Sequence, residues 1–174
     1  MSNIIPEKGI NYSVYLNGED LVGTAEGEFP NLEALTETVK GGGIAGEFES
    51  VVLGHFKSMA LGLTWRNVTD AFVRLAGQRA YDLDLYLAQQ DYNAGLGEYL
   101  ARSVHVFVKA IPKNANIGNL VVGEKTNTRT DLEVLYLKLS IDGRERIELD
   151  KLNYIFRVDG VDYLAGVRRA LGKE

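Results

Sequence analysis

Two histidines, His55 and His105, and two closely spaced acids, Asp82 and Asp84, are the side chains with the best claim to chemistry in this chain. Nucleophilic catalysis needs a base held by a third group with a nucleophile in reach, and a metal site needs several ligands on one rigid frame. Neither histidine has such company in the sequence: His55 lies near a turn, and His105 stands between Val104 and Val106 in an alternating run. Asp82 and Asp84 are spaced i, i+2, which places both on one face of a strand, where carboxylates usually meet solvent. Nothing in the sequence favours a hydrolase built on that pair, which would lose its activity on Asp82→Asn. With no cysteine, disulfides and thiolate-held zinc or iron–sulfur centres are excluded. No catalytic residue, metal ligand or cofactor is expected.

The run GGGIAGEFES, from Gly41 to Ser50, raises a different chemistry, the cradling of a phosphate. Such a loop needs a Lys-Ser/Thr pair after its last glycine, or a helix N-terminus that aims amides at the anion. Here Glu47 and Glu49 follow Gly46 and would repel a phosphate, and the next residues alternate as a strand. The run reads better as a hairpin tip between LEALTETVK and AGEFESVVL. Glycines are costly to order and pack nothing themselves. The tip is therefore expected to be mobile in the free subunit and to become ordered against a neighbour, the alternative being a plain flexible surface loop.

The elements around these residues are short alternating runs broken by turn residues, the signature of an antiparallel β domain. YSVYL (Tyr12 to Leu16), the Asn17-Gly18 turn and LVGTA (Leu21 to Ala25) form a first hairpin. FKSMALGLTW alternates up to Trp65. A helix is predicted over 67–77, capped by Asn67 with Asp70 at N3 and Gly77 at its end; Val68, Ala71, Phe72 and Leu75 would face a sheet. Two long strands follow, Arg79 to Gln90 and Tyr99 to Pro112, the first with Tyr81, Leu83, Leu85 and Leu87 opposite the two acids. IGNLVVGEKTNT is a polar connection. Arg129 to Ile141, the Asp142-Gly143 turn and RERIEL form another hairpin, and the tail holds a strand, an Asp159-Gly160 turn and a short basic helix at Leu164 to Leu171. There is no repeat, no low-complexity segment and no linker, so residues 1–174 are expected to form one domain.

Composition sets the partners. A hydrophobic content of 45% with 25% charged residues is that of a globular chain. The net charge of −5 is uneven: residues 1–62 carry three lysines against nine acids (3 − 9 = −6), and the rest sixteen basic groups against fifteen acidic (16 − 15 = +1). Neutralising phosphates takes Lys and Arg, so sequence-specific nucleic-acid binding is not expected. The start MSNIIPEKGINYS resembles no signal peptide and no run approaches a membrane span, so folding in the cytoplasm is expected.

Four blocks carry a resemblance: VYLNG (Val14 to Gly18), FPNLE (Phe29 to Glu33), GGGIAGE (Gly41 to Glu47) and LDKLNYIFRVDGVDYLAGVRRALG (Leu149 to Gly172). In order and spacing the chain resembles the major tail tube protein of contractile-tailed phages and phage-like (R-type) bacteriocins, most specifically in the tail and least between residues 79 and 128. The resemblance implies a mainly β fold, an antiparallel β-sandwich or half-barrel with one α-helix and a long protruding hairpin at 33–53. It also implies a structural role without catalysis, in hexameric rings stacked into a tube inside a contractile sheath, as a conduit for DNA or a membrane-puncturing tube. Phage and bacteriocin use the same kind of tube. Implied partners are the chain itself, the tail sheath protein, baseplate or initiator and tail terminator proteins, and a tape measure protein in the lumen. The implied location is a virion tail or extracellular bacteriocin particle assembled in the host bacterial cytoplasm. Subunit and ring contacts map onto Gly41, Gly42, Gly43, Ile44, Gly46 and Phe48 at the hairpin tip, and onto Asn153, Asp159, Gly160, Asp162, Arg168 and Arg169 near the C-terminus. Glu33, Glu37, Asp82 and Asp84 are candidates for the lumen, and Asp70 and Arg74 on the helix for the sheath contact. Two departures are mild: Ile44 stands where methionine is more frequent, and Asp159 where asparagine usually precedes the glycine, which leaves that turn's geometry open. The competing class is a monomeric β-barrel that binds a small ligand in an apolar pocket.

Overall fold

The computed structural model describes residues 3–20 and 24–173. Strand β1 (Ile4–Leu16) turns through Asn17 and Gly18, both at positive φ (49° and 83°), into β2 (Glu19–Asp20). Positive φ at both central residues matches the right-handed twist of a two-residue hairpin, which is why Asn-Gly stands there. Of the expected second strand, Leu21 to Gly23 lie outside the described residues, and β3 (Thr24–Glu28) follows them. Next come β4 (Ala34–Lys40), β5 (Glu47–Phe56) and β6 (Ala60–Trp65), then helix α1 (Asp70–Arg74). The remaining elements are β7 (Tyr81–Asn93), β8 (Glu98–Asn116), β9 (Thr128–Ile141), β10 (Arg144–Asp150), β11 (Ile155–Val158), β12 (Val161–Asp162) and α2 (Ala165–Ala170).

The main sheet is antiparallel in the order β12-β11-β10-β9-β8-β7-β1-β2. It forks at β9. The half from Tyr136 to Ile141 pairs with β10, while the half from Thr128 to Glu133 pairs along the same edge with β6, which in turn carries β3. Hairpin β4–β5 forms a separate two-stranded sheet. The architecture is therefore the open, half-barrel-like antiparallel β fold anticipated from the sequence, with α2 in the place of the short basic tail helix.

The core follows the period of two that strands impose. Val14 and Leu16 of β1, Leu61, Leu63 and Trp65 of β6, Leu83 and Leu85 of β7, Val104, Val106 and Val108 of β8 and Leu132 and Val134 of β9 turn inward, joined by Phe72 and Leu75 from the α1 segment. Trp65 satisfies its buried Nε1–H by donating to Thr130 Oγ1 at 3.2 Å.

Helix α1 corrects an expectation. Its N-cap is Thr69, extended at φ −131° and ψ 165°, whose side chain accepts from the Phe72 backbone N–H at 3.3 Å; Asn67 precedes the helix. Asp70 is thus the first helical residue, and Val68 lies outside the helix and exposed, not on its packing face. Thr69 stands three residues before Phe72, so one hydroxyl fixes the start of the turn that buries that ring. The helix also ends earlier than expected, at Arg74 with Leu75 as its C-cap (φ −75°), and Gly77 is not in the left-handed region. Gly77 N–H donates to Arg74 O, and the Tyr81 hydroxyl donates to the same carbonyl at 2.5 Å.

A polar seam closes the fork. Arg129 of β9 donates to both oxygens of Glu28 on β3 (3.0 and 3.1 Å) and to Asp131 at 3.0 Å. Glu133 accepts from Ser58 Oγ (2.5 Å), Lys113 Nζ (3.0 Å) and the Met59 N–H (3.3 Å). Burial pushes the Glu133 carboxyl up, but those hydrogen bonds and the Lys113 charge outweigh it and hold it below its ordinary 4.5. Asp131 is held below its ordinary 3.8 in the same way by Asn114 and Arg129. Carboxyls depressed in the folded state bind fewer protons than when unfolded. Their stabilisation is complete above the ordinary carboxylate values and is lost as the pH falls through the depressed ones. Melting temperature is expected to hold between pH 7 and about 5 and to drop by several degrees at about pH 3. Glu133→Gln should shrink that acid drop, and an unchanged drop in the variant would clear Glu133 of the effect.

Candidate assembly surfaces

Hairpin β4–β5 pairs Val39 with Phe48 and Lys40 with Glu47, then turns through Gly41 to Gly46. Gly41, Gly43 and Gly46 sit at φ 148°, 85° and 117°, and a Cβ at any of the four tip glycines would meet nothing within 4 Å. Every residue from Lys40 to Glu49 is exposed, Ile44 and Phe48 among them. The hairpin is held only at its root. Between Ala34↔Phe56 and Thr36↔Val51 the register slips, so extra residues of β5 bulge out there. At the bulge Gly54 lies against Leu164, the buried residue that leads into α2, while Phe56 packs edge-on to Phe156 at 5.0 Å. Lys57 completes the anchor, its N–H donating to Glu33 O (2.8 Å) and its Nζ pairing with Glu33 Oε1 (2.6 Å).

The acids suggested for the lumen do not lie together. Glu33 is in that root ion pair, and Glu37 stands exposed along the hairpin. Asp82 and Asp84 share the outer face of β7, as their spacing requires, but each is matched by a base on β8. Lys109 Nζ lies 3.5 Å from Asp82 and His105 Nε2 lies 2.6 Å from Asp84. The Tyr86 ring stacks on His105 at 4.2 Å, so His105 has the partners the sequence did not display. Among the described residues no hydroxyl hydrogen-bonds to the imidazole, which leaves a base and its orienter without a nucleophile, and no group of three or more His, Asp or Glu could hold a metal.

On α1, Asp70 is exposed, whereas Arg74 is engaged with Glu19 of the first hairpin through contacts of 2.7 and 3.2 Å. The C-terminal block is mostly occupied within the subunit. Asp150 accepts from the N–H of Leu152 and Asn153 and from the Asn153 side chain, Arg146 pairs with Asp159 at 2.7 Å, and Arg169 is exposed. Asp159 and Gly160 adopt φ 47° and 83°, nearly the values of Asn17-Gly18, so aspartate builds the same turn as asparagine. Arg168 grips Asp162 with both terminal nitrogens (2.6 and 3.3 Å) and donates to Tyr154 O at 2.8 Å, which ties α2 to β12. Asp162→Ala is expected to cost about 2 kcal/mol, or a melting temperature lower by roughly 4–8 °C in the free subunit. A variant that melts like the parent would return Asp162 to a role between subunits.

Two apolar features escaped the sequence reading. The connection from 117 to 127, read as polar, exposes Ile117, Leu120, Val121 and Val122, and the signal was the Leu-Val-Val triplet between Asn119 and Gly123. The second is a groove of about 210 Å³ on the core face of the sheet, lined by Phe29, Pro30, Leu87, Val104, Leu139 and Ile147 among others. It is smaller than the roughly 300–1,000 Å³ of most small-molecule pockets.

The chain matches the family model of the phage tail tube protein FII over residues 6–172. It is 30% identical to the tail tube protein of Escherichia phage P2 over 173 residues, covering 97% of this chain and 98% of that protein. In fold it is similar to a chain of the PVC sheath/tube terminator of an extracellular contractile injection system, in the extended state, solved by cryo-electron microscopy. The TM-score is 0.55 at 13% identity, over 75% of this chain and 94% of that one.

Proposed function

The chain belongs to the phage tail tube protein FII family, and from that premise we propose that its copies close into hexameric rings that stack into the inner tube of a contractile tail. The protein is a structural subunit of a contractile tail tube, and its place is a virion or an extracellular particle. Assembly in the host cytoplasm and the absence of any catalytic step belong to the proposal, as do the hexamer and the partners: sheath protein, baseplate or initiator, terminator and a tape measure protein in the lumen.

The observation that carries the reading is hairpin β4–β5. A lone two-stranded hairpin is marginal in water, and this one is exposed along its outer half and anchored only at its root. A neighbouring copy supplies the missing surface, with Gly41 to Gly46, Ile44 and Phe48 at the contact. Asn153, Asp159, Asp162, Arg168 and Arg169 are assigned to shaping the C-terminal side of that contact, the Asp162–Arg168 pair from within. Contacts between unlike surfaces close a ring where the rotation permits and run on without end along the axis, which makes a tube whose length another protein must set.

For the lumen the proposal retains Glu33, Glu37, Asp82 and Asp84. With Asp82 beside Lys109 and Asp84 beside His105, the wall would present carboxylates already partnered and few free donors to passing DNA, which would slide without specific binding. Asp70, next to the Glu19-bound Arg74, is the candidate for the sheath contact. Negative-stain electron microscopy of concentrated protein tests the reading. Hollow tubes of uniform width or six-membered rings are expected, and separate subunits that persist even with an initiator complex as seed would overturn it.

A further inference from the structure

The groove and the 117–127 loop both present apolar side chains, and they lie apart along one strand, the groove at Val104 and Val106 of β8 and the loop beyond its end at Asn116. Their separation follows from the fork. The β3–β6 branch pairs only with the Thr128–Glu133 half of β9, and beyond it Phe29, Pro30 and Leu32 lie against the inward side chains of β8, β9 and β10. Val104, Leu139 and Ile147 line the groove left there.

The loop springs from the other end of β8, after Asn116, and its base is built. Gly118 is at φ 99°, where a Cβ would collide with the Thr126 carbonyl oxygen. Asn119 N–H donates to Thr126 O (2.8 Å), Thr126 N–H donates to Arg66 O (2.9 Å), and Thr128 Oγ1 donates to Ile117 O (2.8 Å). Above that base the Val121–Glu124 turn, with Gly123 at φ 80°, holds up Leu120 and Val122, which are 99% and 102% exposed. A fixed base under bare aliphatic side chains is a pre-organised knob, since the ordering cost has been met before contact.

We propose that this knob, centred on Leu120 and Val122, inserts into the Val104–Leu139–Ile147 groove of a second copy of the chain, a contact that rests on the tube assembly proposed above. The chain cannot satisfy itself. Val122 is six residues from either anchor, a reach of about 20 Å, whereas the groove lies ten to twelve residues down β8, roughly 33–40 Å away. The contact joins unlike patches at two ends of the subunit, so each copy offers a knob to one neighbour and a groove to another, and the arrangement propagates. Residues Gly118 to Gly123 carry no charge, which suits a groove whose walls are almost wholly aliphatic and aromatic.

The absence of cysteine makes the test clean. Tubes of a Val122→Cys/Gln89→Cys double variant, Gln89 lying on the groove wall, are treated with a short thiol-to-thiol crosslinker and run on a denaturing gel. A ladder of dimers, trimers and higher multimers is expected, with each single variant remaining monomeric on the gel. Leu120→Ser/Val122→Ser should keep the parent's melting temperature and lower pelletable tube about tenfold or more. Tubes without a ladder, or normal tubes from the serine variant, overturn the contact and leave the tube standing. A ladder from Ile44→Cys/Gln89→Cys instead seats the hairpin tip in the groove and also overturns it. Failure of the parent chain to form tubes under any condition sinks both readings together.

Discussion

A Gly54→Val subunit is expected to unfold about 3 kcal/mol more easily than its parent, with a melting temperature lower by roughly 6–12 °C. Two costs add. Gly54 sits at φ 67°, a region that costs an L side chain about 1–2 kcal/mol and is worst for a β-branched one. Independently, a Cβ there would lie 2.5 Å from Leu164 Cδ2, and Leu164 is buried and has little room to retreat. The damage falls where the hairpin bulges against the C-terminal segment, so hydrogen exchange should speed up first in β5 and α2. A melting temperature within 2 °C of the parent would mean that the root is looser than its packing implies.

The cause can be separated from general destabilisation with a double-mutant cycle. Leu164→Ala alone should cost about 2–5 kcal/mol as a core truncation. In the Gly54→Val background it should cost at least about 1 kcal/mol less, because the valine fills the space the leucine vacates. Strict additivity would show that backbone strain, and not the clash, carries the effect.

The parts of this fold legible in sequence are those decided locally. Asn17-Gly18, Asp142-Gly143 and Asp159-Gly160 all adopt the same pair of positive φ values, because a two-residue hairpin admits few residues. Alternation in β7 placed Leu83 and Leu85 inside and Asp82 and Asp84 outside, since a strand leaves no other choice. What depends on partners distant in the chain was not legible. Asp84 meets His105 and Asp82 meets Lys109 through the β7–β8 register, and Glu33 meets Lys57 across the hairpin root. Acids that look free in the sequence are therefore paired in the fold. Asn67 lost the N-cap to Thr69 because propensity alone does not separate two capping residues, and the burial of Phe72 does. The fork at β9 has no local signature at all, so the groove it leaves open could not be read in advance.

The largest functional effect is expected from the hairpin tip. Replacing Gly41 to Gly46 with Asn-Gly should leave a subunit that melts within about 2 °C of the parent, because the removed residues are all exposed and the tip glycines have open space around them. The same subunit should form no tubes. Ile44 is exposed at the tip, and the Asn-Gly turn supplies none of its apolar surface. The two readouts divide the outcomes. Loss of both stability and assembly would place the tip within the cooperative fold, contrary to its exposure. Retention of both would make it an ordinary surface loop and would leave the knob on 117–127 as the contact that carries assembly. Retained stability with lost assembly fits a tip whose order is completed only by a neighbour. The shortened hairpin should then also poison the parent chain when the two are mixed, because a copy that can accept a neighbour but cannot reach the next one stops the growing tube.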